Sequence, residues 1–255
     1  MLQTAIEAAQ KAGTFLRESK DKELKIERKS SSIDLVTQID TEAEKIIVDS
    51  IRKKYPDHTI LGEEGGESST ASPFRWIIDP LDGTVNFTHG LPIYCVSIGV
   101  EHNGTMIAGV VYDPNNGELY TAERGKGAYL NGERIHVSDT GKLIESVLIT
   151  GFPYDIHKNP DYAIERFIDF LTQAQAIRRL GSAAIDLCYI AAGRADGFWE
   201  VFLKPWDIAA GILLVEEAGG KVTDFKGNPI DVHSPRVLAT NGIIHDQMLK
   251  VLQQR

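Results

Sequence analysis

The chain begins with apolar and small side chains spaced as on one face of an α-helix. They fall three and four residues apart, at Leu2, Ala5, Ile6, Ala9, Ala12 and Leu16. A second helix is predicted from Thr41 to Tyr55. Thr41 and Glu44 have the spacing of a capping box at its start, and Pro56 follows its end. The N-terminal region is therefore expected to contribute two amphipathic helices.

The middle of the chain is patterned as antiparallel β-strands joined by tight turns. Asn103-Gly104 and Asn131-Gly132 are dipeptides typical of two-residue hairpin turns. The strands predicted around these turns are Phe74–Ile78, Tyr94–Glu101, Thr105–Asp113, Gly127–Leu130 and Arg134–Val137. This region therefore indicates a mostly antiparallel sheet.

Beyond residue 145, strand and helix patterns alternate. The predicted strands are Val147–Thr150, Ala176–Arg179, Gly197–Val201, Lys221–Asp224 and Val237–Ala239. The predicted helices are Asp161–Ala174, Ser182–Ala192, Ile208–Ala218 and Ile243–Gln253. The whole pattern predicts an α+β protein, with N-terminal helices and an antiparallel sheet in residues 1–145 and a layered α/β half in residues 146–255. Because no linker or repeat separates the halves, we expect one domain over residues 1–255 with a shared cleft.

The composition limits the classes of binding partner and the cellular compartment that we expect for the protein. The formal net charge of −9 over 255 residues argues against binding to nucleic acid or to an anionic membrane. Two cysteines, Cys95 and Cys188, lie in apolar stretches and indicate buried free thiols rather than a disulfide framework. The first residues lack a signal-peptide pattern and no apolar run is long enough to span a membrane, so we expect a cytoplasmic protein.

The segment from Trp76 to Thr84 is the most informative in the chain. An apolar strand runs into Asp79, and Pro80 then removes a backbone donor from the ladder. Asp82 follows three residues later beside Gly83, so a tight turn can bring both carboxylates to one point. Converging carboxylate and carbonyl oxygens suit Mg²⁺. The alternative is a strand followed by a plain Asp-Gly turn, because both residues favour turns for independent reasons.

Acidic residues recur in three other places beside predicted strand ends or helix starts. Glu63 and Glu64 stand between glycines in Leu61–Gly66, and Asp207 precedes an apolar helix. Asp34 and Asp40 bracket a short run before the second helix. Each has a plainer interpretation: a solvated loop for the glutamates, and a helix N-cap for Asp40 or Asp207.

Taken together, these motifs resemble the inositol monophosphatase family. The matching segments, in family order, are Asp34–Asp40, Gly62–Glu64, Asp79–Thr84, Arg179–Cys188 and Trp206–Gly211. The resemblance covers nearly the whole chain. It implies a layered α-β-α-β-α sandwich and a homodimer.

The resemblance also implies a ligand set for two or three Mg²⁺ ions per active site. The implied metal ligands are Glu63, Asp79, the Leu81 carbonyl, Asp82 and Asp207. Asp40 and Thr84, with Glu63 nearby, would orient the attacking water. Asp34 would support the site from behind the ligands.

For the substrate, the resemblance implies phosphate contacts from the amides of Gly83 and Thr84. Ser182, Ala183 and Glu200 would contact the organic part. Trp206 and its neighbours Lys204-Pro205 follow a microbial pattern, and the Gly65–Ser72 loop is short, which leaves the substrate open.

The function predicted from this resemblance is hydrolysis of a small phosphate monoester by a metal-activated water. Inositol monophosphate is the first choice of substrate, and lithium inhibition is implied. A broader sugar phosphatase that acts on fructose 1,6-bisphosphate or on NADP is the alternative within the same chemistry. An alternative of another class is a regulatory protein that binds the transcription machinery.

Overall fold

The computed structural model describes residues 1–20, 26–28 and 35–255. Two amphipathic helices precede the first large sheet, and the remaining helices follow it or lie at its edge. The helices of the described residues are α1 (Leu2–Ser19), α2 (Gln38–Arg52), α3 (Thr84–Thr88), α4 (Ala163–Leu171), α5 (Ala183–Ala191), α6 (Pro205–Glu217) and α7 (His245–Leu252).

The strands of the N-terminal region form a small ribbon and a large sheet. The ribbon pairs β1 (Ile26–Arg28) with β2 (Leu35–Thr37). The sheet contains β3 (Thr59–Gly62), β4 (Gly66–Glu67), β5 (Phe74–Asp82), β6 (Cys95–His102), β7 (Thr105–Asp113), β8 (Glu118–Glu123), β9 (Gly127–Leu130) and β10 (Glu133–Ile135). Its order is β10-β9-β8-β7-β6-β5-β3-β4, and β3 with β5 is its parallel pair.

A second sheet of mixed direction belongs to the C-terminal region. Its strands are β11 (Val147–Thr150), β12 (Ala176–Arg178), β13 (Gly197–Val201), β14 (Lys221–Thr223) and β15 (Arg236–Thr240). The order is β12-β11-β13-β15-β14, in which β11 is parallel to β12 and β13 and the remaining pairs are antiparallel.

Three apolar cores stack these elements into five layers. One core packs α1 and α2 against the outer face of the large sheet. The central core packs α5 and α6 between the two sheets, and the third packs α4 and α7 on the far face of the smaller sheet. The predicted α+β fold with an α-β-α-β-α layering is therefore confirmed.

Helix α6 lies unusually close to the large sheet. A Cβ at Gly99 of β6 would lie 2.8 Å from the Ala209 side chain, and one at Gly109 of β7 would lie 2.9 Å from the Ala210 carbonyl. Glycine is needed at both positions because any side chain would push the helix away. This close packing fixes the N-terminal end of α6 against the sheet, near the end of β5.

Several predicted boundaries are wrong in ways that bear on the site. Helix α2 begins at Gln38 rather than Thr41, so Asp40 lies in its first turn and the predicted capping box of Thr41 and Glu44 does not form. Helix α6 begins at Pro205, which makes Asp207 its third residue rather than its N-cap. Strand β5 continues past Pro80 to Asp82 through an irregularity in its pairing with β6.

Other differences lie away from the site. Helix α4 starts at Ala163 because Asp161 and Tyr162 adopt left-handed backbone angles. Strand β10 ends at Ile135 instead of Val137, and β8 was absent from the predicted set. The turns at Asn103-Gly104 and Asn131-Gly132 form as predicted, with both asparagines in the left-handed region. Among the described residues, no helix combines the length and apolar character required to cross a membrane.

Candidate active site

The site is built on the last residues of β5. Asp79 is 1% exposed, and its Oδ1 accepts a hydrogen bond of 3.0 Å from the Leu81 amide. Pairing with β6 is regular up to Asp79 and resumes only at Asp82. Since Pro80 cannot donate to the ladder, the strand bulges here. The bulge breaks the alternation of side chains and lets Asp79 and Asp82 share one neighbourhood.

Gly83 turns the chain from β5 into the short helix α3. Its φ of 97° lies in the left-handed region, and a Cβ there would stand 2.8 Å from the Ile93 carbonyl oxygen. Both the angle and the contact require glycine. The amides of the first turn have no partner inside a helix, so the turn presents N–H groups beside Asp82.

Asp82 is held by the start of helix α5. Its Oδ2 accepts 2.7 Å hydrogen bonds from the Ser182 hydroxyl and from the Ala184 amide. Ser182 is the N-cap of α5, where its side chain also accepts from the Ile185 amide. The helix start therefore fixes a carboxylate that belongs to the other half of the chain.

Asp207 reaches the same region from the first turn of α6. Its Oδ2 accepts a 2.7 Å hydrogen bond from the Lys204 amide, as the third residue of a helix does when it reaches back to its N-cap. The Trp206 carbonyl accepts from the Ser97 hydroxyl of β6 at 3.4 Å, which ties this helix start to the sheet.

Burial raises the pKa values of the aspartates in these elements, and neighbouring carboxylates raise those of Asp79 and Asp207 further. The pKa of Asp79 lies well above its usual value because of burial first and then the charges of Glu63, Asp82 and Asp207. Burial raises the pKa of Asp82 to about 6, against the hydrogen bonds of Ser182 and Ala184, which lower it. Burial and the nearby Asp82 raise the pKa of Asp207 as well. The four acids therefore form one electrostatic cluster.

Thr84 and Asp40 form a hydrogen-bonded pair at the edge of this cluster. The Thr84 hydroxyl lies 3.0 Å from Asp40 Oδ1 and 3.1 Å from the Leu81 carbonyl oxygen. Its single hydrogen can serve one acceptor at a time. Asp40 is 1% exposed because α2 packs it against the α3 turn. The pair can accept a hydrogen bond from a water that approaches Thr84.

Two further buried acids lie on the C-terminal side. Glu200 of β13 is 8% exposed, and burial raises its pKa to about 8 although the Arg179 guanidinium opposes the shift. A Cβ at Gly151 would overlap the Glu200 carboxyl, so glycine there leaves it room. Asp186 of α5 is buried, and its pKa is raised by burial and then by the charge of Glu200.

Comparison with known proteins shows the family of the chain. The model of the inositol monophosphatase family matches residues 1–255. An inositol-1-monophosphatase from Synechocystis sp. is 45% identical over 98% of this chain and 88% of its own length. The Nus factor SuhB of Escherichia coli is 45% identical over 98% of this chain and 94% of its own. The chain belongs to the inositol monophosphatase family.

The fold of solved members agrees. The inositol monophosphatase from Anabaena (Nostoc) sp. superposes with a TM-score of 0.89 at 41% identity, covering 99% of this chain and 95% of that one. Membership supports a phosphatase and a metal-dependent one, because the family as a whole has that chemistry.

Most of the residues predicted from sequence lie where this family fold brings strand ends and helix starts together. Asp79 interacts electrostatically with Glu63, Asp82 and Asp207. The Thr84 hydroxyl contacts Asp40. The hydroxyl of Ser182, which is predicted to contact the organic part of the substrate, donates to Asp82. Asp34 lies outside the described residues.

The donor set fits divalent cations. Four carboxylates and a backbone carbonyl are hard oxygen ligands, and their mutual repulsion is the state that a dication relieves. Among the described residues, no group of three or more His, Cys, Asp or Glu side chains has the geometry to hold a metal ion. The match to a divalent cation therefore rests on the oxygen ligands and on the electrostatic repulsion between the carboxylates.

Two acidic residues near the site are not among the site residues predicted from the sequence. Asp186 lies in the first turn of an otherwise apolar helix, and that isolated charge was the available signal. The sequence predicts Glu44 in a capping box on α2, but its carboxylate accepts hydrogen bonds from the amides of Glu64 and Gly65. Only the three-dimensional fold brings α2 against that loop.

Proposed function

We propose that the protein is a Mg²⁺-dependent phosphatase whose substrate is inositol monophosphate. The observation that carries this proposal is the cluster of Asp79, Asp82 and Asp207, whose pKa values are raised first by burial, beside the hydrogen-bonded pair of Thr84 and Asp40. A site that gathers acids in this way needs cations, and phosphate monoesters are the anions such cations recruit.

Two or three Mg²⁺ ions would be held by Glu63, Asp79, the Leu81 carbonyl, Asp82 and Asp207. When bound, such ions neutralise a phosphate dianion, lower the pKa of water and stabilise a leaving alkoxide. The protein's own hydrogen bonds support these positions. The Leu81 amide holds Asp79, Ser182 and Ala184 hold Asp82, and the Lys204 amide holds Asp207.

Thr84 and Asp40 would orient the attacking water, with Glu63 near it. If the Thr84 hydroxyl donates to Asp40, its lone pairs are directed to accept from that water. The water oxygen then attacks phosphorus and the ester P–O bond breaks. One proton of the water passes to the leaving alcohol oxygen, and the products are the alcohol and inorganic phosphate. The amides of Gly83 and Thr84 would bind the phosphate oxygens, since the turn after Gly83 presents N–H groups beside Asp82.

Glu200 would recognise the organic part of the substrate. Its carboxyl receives no hydrogen bond from any described residue and lies close to the backbone of Gly151. A group with a pKa of about 8 can accept from one hydroxyl and donate to another. Vicinal hydroxyls of a polyol match that capacity. The Ala183 amide would add a further contact, beside the Ser182 hydroxyl that holds Asp82.

Two other functions are the alternatives. A broader sugar phosphatase, acting on fructose 1,6-bisphosphate or NADP, would use the same metal centre with a different organic subsite. Relatives 45% identical are named Nus factor SuhB, which supports a transcription-machinery partner as the alternative of another class. Assembly as a homodimer is part of the family-based proposal.

The experiment is phosphate release from a panel of monoesters with Mg²⁺, with EDTA, and with Mg²⁺ plus lithium. The panel contains inositol 1-phosphate, fructose 1,6-bisphosphate, NADP and an aryl phosphate. We expect Mg²⁺-dependent, lithium-inhibited release with inositol 1-phosphate turned over most efficiently. A clear preference for fructose 1,6-bisphosphate or NADP would show that the substrate is that compound instead of inositol monophosphate. Absence of release from folded, Mg²⁺-binding protein would favour the regulatory role.

A further inference from the structure

Helix α2 carries a second buried carboxylate one turn beyond Asp40. Glu44 lies four residues further along the helix and is 7% exposed. Its oxygens accept a 2.8 Å hydrogen bond from the Glu64 amide and a 2.7 Å bond from the Gly65 amide. Residues four apart share a helix face. One face of α2 therefore reaches both the Thr84 hydroxyl and the loop after β3.

The same loop is attached on its other side to β5. The Glu63 amide donates to the Ile78 carbonyl at 3.3 Å, immediately before Asp79. Gly62 pairs with Ile78 in the parallel register of β3 and β5. Glu63 thus lies between two attachments, the strand that carries Asp79 and the helix that carries Glu44. A ligand held on both sides has a defined backbone position.

The Glu44 carboxylate occupies the space that side chains at Gly62 and Gly65 would need. A Cβ at Gly62 would lie 2.6 Å from Glu44 Oε2, and a Cβ at Gly65 would lie 2.7 Å from Oε1. Neither glycine has a left-handed φ, so backbone freedom does not explain them. Contact with Glu44 does, because a side chain at either position would displace the carboxylate.

We propose that Glu44 is a positioning residue that holds Glu63 in the metal centre, an inference that rests on Glu63 being a metal ligand in the proposed function. Hydrogen bonds from backbone amides to a carboxylate are stronger than neutral ones. Without that carboxylate, two amides lose their partner and the loop can relax. Outer partners of metal ligands typically change metal affinity about 10- to 100-fold when removed.

The test measures Mn²⁺ binding to EDTA-stripped protein by titration calorimetry, without substrate. Glu44→Gln is compared with Glu42→Gln, which makes the same charge change at an exposed position of the same helix. We expect Glu44→Gln to bind Mn²⁺ about 10- to 100-fold more weakly and to show a smaller Mn²⁺-induced rise in Tm. Glu42→Gln should match the wild type on both measures.

Two carboxylate-preserving variants separate placement from charge. Gly62→Ala displaces the Glu44 carboxylate while every acid remains, and Glu44→Asp shortens its reach at constant charge. Both should weaken Mn²⁺ binding in the same direction as Glu44→Gln. This pattern would exclude a purely electrostatic origin.

The outcomes decide the proposal separately from the proposed function. If Glu44→Gln lowers only the Tm of the metal-free protein and binds Mn²⁺ like Glu42→Gln, Glu44 merely stabilises the fold and the proposal is overturned. Absence of Mn²⁺ binding in the wild type would overturn it as well. If Mn²⁺ binds but no phosphate monoester is hydrolysed, the proposed function fails while the Glu44 comparison still gives its answer.

Discussion

The acids on the two sides of the site differ in how the protein holds them. On the side of β5, Asp79 and Asp82 accept hydrogen bonds from Leu81, Ser182 and Ala184. On the side of β13, the carboxyl of Glu200 receives none from any described residue, and Asp186 Oδ1 is buried without a partner among them. The first pair is fixed before anything binds. We propose that a bound substrate satisfies the second pair, since an unpaired buried carboxyl is costly.

In the proposed function, the two sides have different roles: the first binds cations and the second binds the substrate's hydroxyl groups. Fixed carboxylates suit cations, whose affinity depends on ligand position. Carboxyls without protein partners suit hydroxyl groups, which can both donate and accept. The predictions below test the division, beginning with the largest effect.

Asp82→Asn should reduce kcat/KM at least ~10³-fold, because it removes a charged ligand from the proposed metal centre. The fold should be retained, since the amide oxygen can still accept from Ser182. Phosphate release and circular dichroism measured together check this. The control is Asp246→Asn, an acid on the surface of α7 whose side chain is 84% exposed. Wild-type turnover in Asp82→Asn would show that the carboxylates at the end of β5 are not needed for catalysis.

Glu200→Gln should discriminate between substrates. We expect kcat/KM for inositol 1-phosphate to fall about 10- to 100-fold, because one hydrogen-bonding contact to the polyol is impaired. Hydrolysis of an aryl phosphate without hydroxyls should change less than about 3-fold. Equal losses on both substrates would show that Glu200 does not recognise the organic part, and the proposed division would then be wrong.

Ser182→Ala should lower Mg²⁺ affinity about 10-fold, since it removes the hydroxyl that donates to Asp82 at 2.7 Å. Some stability should also be lost, on the order of 1 kcal/mol, because Ser182 is the N-cap of α5. Ser182→Thr retains the hydroxyl and should restore affinity. If Mg²⁺ activation curves of the alanine and threonine variants coincide with the wild type, Ser182 does not hold Asp82 for the ion.

The stability of the metal-free protein should depend on pH through Glu200. Burial raises its folded-state pKa to about 8 from 4.5, so between these values the unfolded chain releases a proton that the folded protein retains. Folding stability therefore falls as pH rises through this window, by at most about 1.4 kcal/mol per pH unit. It levels off above the folded-state pKa.

Urea unfolding in EDTA at several pH values measures this effect. Glu200→Gln cannot ionise, so it should match the wild type near pH 4 and be more stable than the wild type by about 2–4 kcal/mol near pH 8. Identical pH profiles for the two proteins would mean that Glu200 is not buried as a neutral acid.

The sequence was sufficient where local chemistry determines structure. The Asn-Gly turns and the strand that enters Asp79 both follow from the backbone preferences of a few adjacent residues. The acidic motifs were visible for the same reason, as short runs with unusual composition. Their convergence came from the family resemblance, because spacing along the chain alone does not bring Asp207 to Asp82.

What the sequence did not reveal depends on distant contacts. The spacing of Thr41 and Glu44 matches a capping box, yet α2 starts earlier and Glu44 bonds a loop twenty residues away. Asp82 accepts from Ser182, one hundred residues further along the chain. Local patterns carry no information about such partners, since they arise only when the helical layers and sheets stack.

The measurement that tests the central claim most directly is Mn²⁺ binding to EDTA-stripped wild type and Asp79→Asn, counted by electron paramagnetic resonance. Asp79 stands at the centre of the cluster, and its pKa is raised by burial first and then by the charges of Glu63, Asp82 and Asp207. Asparagine has no charge to bury or to repel these acids, so the metal-free variant should be at least as stable as the wild type. We expect the wild type to bind two or more Mn²⁺ ions that Mg²⁺ displaces, and Asp79→Asn to lose them. Unchanged Mn²⁺ stoichiometry in the folded variant would contradict a metal centre built on these carboxylates.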